Sequence, residues 1–228
     1  ELLAPARVIL ARRLPRLAIN LWEGTDREVH HWMTDGRVDV GLVGPLLRPI
    51  PNATVVPLME DPWYVACPVA HELARSEVLD IRQLGDVPYV MADGGCEPVV
   101  RALFDRAAIR PNVSYRAQSI DTILTMVAGG LGITLVPELG LQTFEAALIR
   151  TVPLSPRTTR LVAAVMPAGD NAPIAAHQLV AAMQQHIARR ERSSLATTMQ
   201  TTSESHDGRD ATGHYGARQT NDRISGRN

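Results

Sequence analysis

Residues 17–43 read as strand, helix and strand within about 30 residues, the length of a parallel crossover, and no other feature narrows the possible folds so far. Leu17, Ile19 and Leu21 alternate along the chain as a strand requires. Thr25 and Glu28 then form the S/T-x-x-E pattern of a capping box, Val29, Trp32 and Met33 supply an apolar stripe, and Gly36 ends the helix. The next strand is RVDVGLVG, residues 37–44.

The alternation extends in both directions. Leu2, Leu3, Ala6, Ile9, Leu10 and Leu14 recur at helical spacing ahead of it. Behind it, strands are predicted over 54–59, 62–68 and 87–92, then a helix opening at Pro98 with Val100, Leu103, Phe104 and Ala107 on one face. A strand over 112–117 leads to a helix capped by Ser119, with Ile120, Ile123, Leu124 and Val127 on its stripe. Strands over 132–137 and 160–166 follow, and a closing helix over 173–190 buries Ala176, Val180, Met183 and Ile187. Repeated alternation of this kind is the pattern of an α/β protein. From Ser193 the chain is polar and lacks an apolar period, so residues 193–228 read as a disordered tail.

Composition closes off several functions. At 45% hydrophobic content over 228 residues the chain is globular, with room for one large or two small domains. A net charge of -1 offers no bulk attraction to nucleic acid or to an anionic membrane. No apolar run reaches the roughly 20 residues a bilayer needs, and Arg7, Arg12 and Arg13 interrupt the opening stretch, unlike a signal peptide. Cys67 and Cys96 alone do not make a disulfide scaffold, so a reducing, cytoplasmic home is expected.

MVAGGLGITLVP, residues 126–137, is constrained in residue size yet carries no nucleophile, acid or metal ligand. It is not a dinucleotide fingerprint, because Leu135 stands where the third glycine belongs and the helix precedes the strand. Gly129 and Gly130 are expected to end the helix with positive φ, and Gly132 to turn the chain tightly into a buried strand.

The same segment resembles, as SIDTILTMVAGGLGITLVPE (119–138), the effector-binding domain of LysR-type transcriptional regulators. LPRLAINLWEGTDREVHHWMTDGRVDVGLV (14–43) and DPWYVACPVAHELARSEVLDIRQLGDVPYV (61–90) match other stretches of that family in the same order, with Glu72 in place of the usual proline after His71. The resemblance covers residues 1 to about 190. It implies two Rossmann-like α/β subdomains, as in type II periplasmic binding proteins, with a small molecule in the cleft between them. The first would comprise residues 1–66 plus 168–192, and the second 67–167. It also implies a homodimer or tetramer paired through residues 2–14 and 29–33, and DNA contact only through a winged helix-turn-helix that these residues do not contain. The family's domain opens with a strand ahead of the helix that starts here, so the chain reads as beginning mid-domain and as less stable for it.

Helix N-termini that converge on such a cleft bind anions through free N–H groups and the positive dipole end. The resemblance assigns effector contacts to Thr25, Gly44, Asp93, Gly95, Cys96 and Ser119. Thr25 and Ser119 also read simply as helix caps. Gly44 departs from members that place an arginine there for an acidic effector. Cys96 sits where the peroxide-sensing branch of the family has its reactive cysteine, so thiol-based redox sensing is an alternative. A solute-binding protein of a transport system is a second. No catalytic set, cofactor or metal is expected: Arg75 replaces the second histidine of H-E-x-x-H after His71, and Asp61 and Asp93 read as solvated charges.

Overall fold

A computed structural model describes residues 2–44, 49–93, 95–141 and 147–207, with side chains as far as residue 192. The chain divides into two compact units, Glu1–Ile187 and Ala188–Asn228, and the site lies in the first. In chain order it contains α1 (Leu3–Ala11), α2 (Asp26–Thr34), β1 (Gly41–Val43), β2 (Ala53–Pro68), β3 (Pro88–Ala92), α3 (Glu97–Arg106), β4 (Asn112–Ala117), α4 (Ile120–Ala128), β5 (Thr134–Pro137), β6 (Ile149–Pro153), β7 (Thr159–Pro167) and α5 (Ile174–Asp207).

β2 organises the fold. Residues 53–62 pair antiparallel with β7, which pairs on its other edge with β1. Beyond Pro62 the strand changes partners, to β5 from Trp63 and to β6 from Tyr64. β3 and β4 form a parallel pair, joined to the start of β5 by a bridge between Tyr89 and Ile133. The apolar clusters follow this division. Leu10, Val162, Met166, Val180 and Met183 pack α1 and α5 on β7. Trp63, Val65, Tyr89, Met91, Phe104 and Ile133 join the second half of β2 to β3, α3 and β5.

Local chemistry sets the helix starts as the sequence suggested. Thr25 Oγ1 accepts from the Glu28 N–H at 3.4 Å while Glu28 Oε2 accepts from the Thr25 N–H at 2.8 Å, a complete capping box for α2. Ser119 Oγ accepts from the Thr122 N–H at 3.1 Å, and α4 buries Ile123, Leu124 and Val127. The glycine segment is an elbow: Gly130 lies at φ +79° and Gly132 at φ +148°. A Cβ on Gly132 would come 2.3 Å from the Pro88 carbonyl oxygen, so only glycine lets β5 approach β3 closely enough for Ile133 to donate to that oxygen at 2.9 Å. Gly129, expected to share the positive φ, caps the helix at φ -75° because the turn reverses one residue later.

Other expectations change. Residues 17–21 form no strand: the only edge of β1 that pairs is the one against β7, so this extended segment has no ladder beside it among the described residues. It borders instead a groove of about 490 Å³, across from residues 37–42 and floored by Ala175, Ala176, Leu179 and Met183. The runs 54–59 and 62–68 fuse into one 16-residue strand, with Pro57 accommodated at a register shift. β6 was not foreseen in the short run IRTVP. α5 continues past residue 190 to Asp207, since extending a nucleated helix is far cheaper than starting one. Residues 208–228, the rest of the stretch expected to be a tail, lie outside the described residues, as does Gly94.

Candidate functional site

Where β2 exchanges β7 for β5 and β6, Asp61 and Arg160 face each other across the ladder. Both were unremarkable in the sequence, and Asp61 was read as a solvated charge. It is instead fully buried. Its Oδ2 accepts from Arg160 Nε at 2.9 Å and lies 2.8 Å from Nη2, while Oδ1 accepts from the Leu139 N–H at 3.0 Å. A carboxylate at zero exposure requires such partners. The arginine keeps 18% of its side chain exposed, and its Cζ lies 5.7 Å from the centre of the buried Trp63 ring. A charge within an otherwise apolar strand run, as at Arg160 before LVAAVM, is the signal that sequence reading passed over.

Four of the expected site residues gather around this guanidinium or beside it. Arg160 Nη1 donates to Cys96 Sγ at 3.5 Å. A Cβ on Gly44 would lie 3.7 Å from the same nitrogen, in ordinary contact with it. Gly95 stands against the start of α2, with its Cβ position 3.9 Å from Asp26 Oδ2. Thr25 precedes that aspartate as the cap of α2, its hydroxyl engaged with Glu28 at 2.9 Å. The arginine therefore comes from β7, where no site residue was expected, and faces the position after β1 where an arginine was missed.

Asp93 and Ser119 lie at the C-terminal ends of the parallel β3 and β4, where the Asp93 N–H donates to the Ala117 carbonyl at 2.8 Å. Asp93 is exposed and faces Arg116 at 3.8 Å, with Glu97 closer to that cation at 3.0 Å. Ser119 is exposed and its hydroxyl caps α4.

Burial sets the protonation around the arginine. Desolvation raises the carboxyl pKa of Asp26, and the nearby Arg160 charge pulls it back in part. Burial likewise raises the Cys96 thiol pKa, again opposed by Arg160, while Asp26 and Asp61 reinforce the rise. A thiol held this way is mainly protonated at neutral pH and is a poor nucleophile. Cys67 and Cys96 are both unbonded to any cysteine. Among the described residues no three His, Cys, Asp or Glu side chains are placed to hold a metal ion, and no helix is long and apolar enough to cross a membrane.

Comparison with known proteins bears on the fold and the family. Relatives in the curated collection include the uncharacterised HTH-type transcriptional regulator YvbU of Bacillus subtilis, 28% identical over 72% of this chain and 56% of the relative. The Hca operon transcriptional activator HcaR of Escherichia coli is 33% identical over 45% of this chain and 36% of its own. The chain thus spans about half the length, or less, of these curated relatives. Among solved structures, the BenM effector-binding domain with its effector benzoate superimposes with a TM-score of 0.74 at 20% identity, covering 84% of this chain and 88% of that one. The CcmR regulatory domain of Synechocystis PCC6803 in complex with 2-PG gives 0.72 at 19% identity, over 80% and 89%. The fold is therefore the α/β, type II periplasmic-binding-protein-like fold of effector-binding domains. Residues 1–188 match the family described as the LysR substrate binding domain, and a match over most of the chain, on the fold just described, places this protein in that family.

Proposed function

We propose that this chain is the effector-sensing and oligomerisation part of a LysR-type transcriptional regulator, and that a small organic molecule binds beside Arg160. The observation that carries the reading is convergence. The start of α2, the turn into α3 and the position after β1 come from distant parts of the sequence and meet at one partly exposed guanidinium. In this reading residues 1–66 plus 168–192 and residues 67–167 are the two subdomains, and β2 and β7 are the strands that cross between them. Thr25, Gly44, Asp93, Gly95, Cys96 and Ser119 line the binding cleft, and no catalysis or cofactor is involved. Binding shifts the pose of the two subdomains, and a cytoplasmic dimer or tetramer passes the shift to the winged helix-turn-helix of the longer regulator. Burial of the Cys96 thiol favours ligand sensing over the redox alternative.

The test is a thermal-shift screen with small organic molecules, followed by calorimetry on each hit. At least one compound should raise the Tm saturably, and Gly95→Leu, which puts a side chain against Asp26, should abolish its binding. A complete screen with no saturable hit, or hits indifferent to Gly95→Leu, would overturn the reading.

A further inference from the structure

We infer that the groove between residues 17–21 and 37–42 accepts an extended apolar strand offered by another polypeptide, which adds to the sheet at the free edge of β1. This goes beyond the effector reading and uses none of the residues around Arg160.

Both long walls of the groove are extended backbone whose edges no described strand takes up. β1 pairs on one side only, with β7. Across the groove, Ala18, Ile19, Asn20 and Leu21 make no backbone hydrogen bond to any described residue. Exposure alternates along each wall. Leu17 and Ile19 are half-buried while Ala18 and Asn20 are exposed, and Val38 and Val40 are half-buried while Arg37 and Asp39 are exposed. That is the period of strands in a sheet. A row of unpaired N–H and carbonyl groups is a template for pairing with another chain. One inserted strand answers both walls at once, which is β-augmentation with two edges in place of one.

The faces of the sheet set the side chains of the partner. Ala163 and Val165 of β7 pack with Met33 and Val29 of α2, whereas the alternate residues Ala164 and Met166 pack with Val180 and Met183 of α5, so the two helices cover opposite faces. A strand covered on both faces takes an unbroken apolar run, not an alternating one. Leu21, Trp22 and Leu42, at 72%, 46% and 37% exposure, line the groove and supply apolar surface for that run to cover. Residues 38–42 extend over about 17 Å, which matches about five residues of the partner. A hydrocarbon or a small aromatic would cover the same surface and leave the backbone groups of both walls unpaired. Two copies of this chain meeting edge to edge at β1 would leave residues 18–21 of each without a ladder.

The probe is a synthetic peptide with about five central Val, Ile and Leu residues between terminal lysines. Its N-methylated analogue keeps the apolar side chains and lacks the central N–H donors. Binding to the chain is read from Trp fluorescence, since Trp22 and Trp32 line the groove, and from thermal shift. The parent peptide should bind saturably and raise the Tm by roughly 5–10 °C at about 100 times its Kd. The N-methylated peptide should bind at least about 10-fold more weakly. Leu42→Lys, which puts a charge in the groove from an exposed position, should weaken the parent peptide by a similar factor, whereas Val8→Lys on the exposed side of α1 should change it by less than about 2-fold. Equal binding of the two peptides would make the groove a plain apolar pocket and overturn the pairing. Equal effects of the two substitutions would put the peptide elsewhere. The proposal also falls if the parent peptide gives no saturable shift, or if the Trp signal follows the concentration of the chain alone and marks a second copy as the occupant. None of these results bears on the effector reading at Arg160.

Discussion

Asp61→Asn isolates the ion pair at the crossing of β2 and β7. Both carboxylate oxygens accept from N–H donors, Oδ1 from Leu139 and Oδ2 from Arg160, so an amide must turn its NH2 toward a donor on one side. The guanidinium also loses its counter-charge. Removing one member of a buried pair costs about 3–5 kcal/mol, and the 18% exposure of Arg160 argues for the lower end, about 3 kcal/mol. With a urea slope of roughly 2.5 kcal/mol per molar for a domain of this size, the unfolding midpoint should fall by about 1.2 M. Arg160→Met should cost a similar amount, because the buried Asp61 side chain would be left with the Leu139 N–H as its one partner among the described residues. The double substitution should cost much less than the sum, with a coupling of at least about 2 kcal/mol. Urea melts followed by circular dichroism read all four proteins. Midpoint shifts under about 0.3 M for the single variants, or simple additivity in the double, would refute the claim that these groups depend on each other.

Gly132→Ala should lower the Tm by roughly 6–12 °C, from about 3 kcal/mol of positive-φ strain and collision with Pro88, whereas Gly129→Ala at an ordinary φ should move it by less than about 2 °C. Equal shifts in the two proteins would remove the elbow reading. For Asp26, burial raises the carboxyl pKa above 3.8, so between the unfolded and folded values the native state binds more protons and stability falls as pH rises. Asp26→Asn should therefore raise the Tm at pH 7 and leave it unchanged near pH 3, and a gain of the same size at both pH values would contradict that sign. Cys96 should react with iodoacetamide at pH 7 more slowly than the same thiol in urea, because burial holds it protonated. Faster reaction in the folded protein, followed by mass spectrometry, would revive redox sensing.

How much of this was legible in the sequence depends on how local the cause is. The caps at Thr25 and Ser119, the stripes of α2, α3 and α4, and the elbow at Gly130 and Gly132 are set by neighbours a few residues away, and each was readable from spacing. The segment 17–21 alternates as well as any strand, yet strand formation depends on a partner the period cannot supply. β6 is short, begins beside residues with no strong pattern and owes its pairing to β2, more than 80 residues earlier.

The site shows the same limit in sharper form. Gly44, Gly95 and Cys96 were named as effector contacts from resemblance; the structure brings Gly44 and Cys96 beside Arg160, which is on β7, more than 60 residues beyond Cys96. The resemblance looked for an arginine at Gly44; the fold instead places Arg160 on β7, the strand paired with β1, beside that position. An arginine at position 44 would itself crowd Nη1 and bring like charge within contact distance of Arg160. Gly44→Arg should thus lower the stability of this protein, and an unchanged Tm in that variant would mean that the two positions do not compete for the same space.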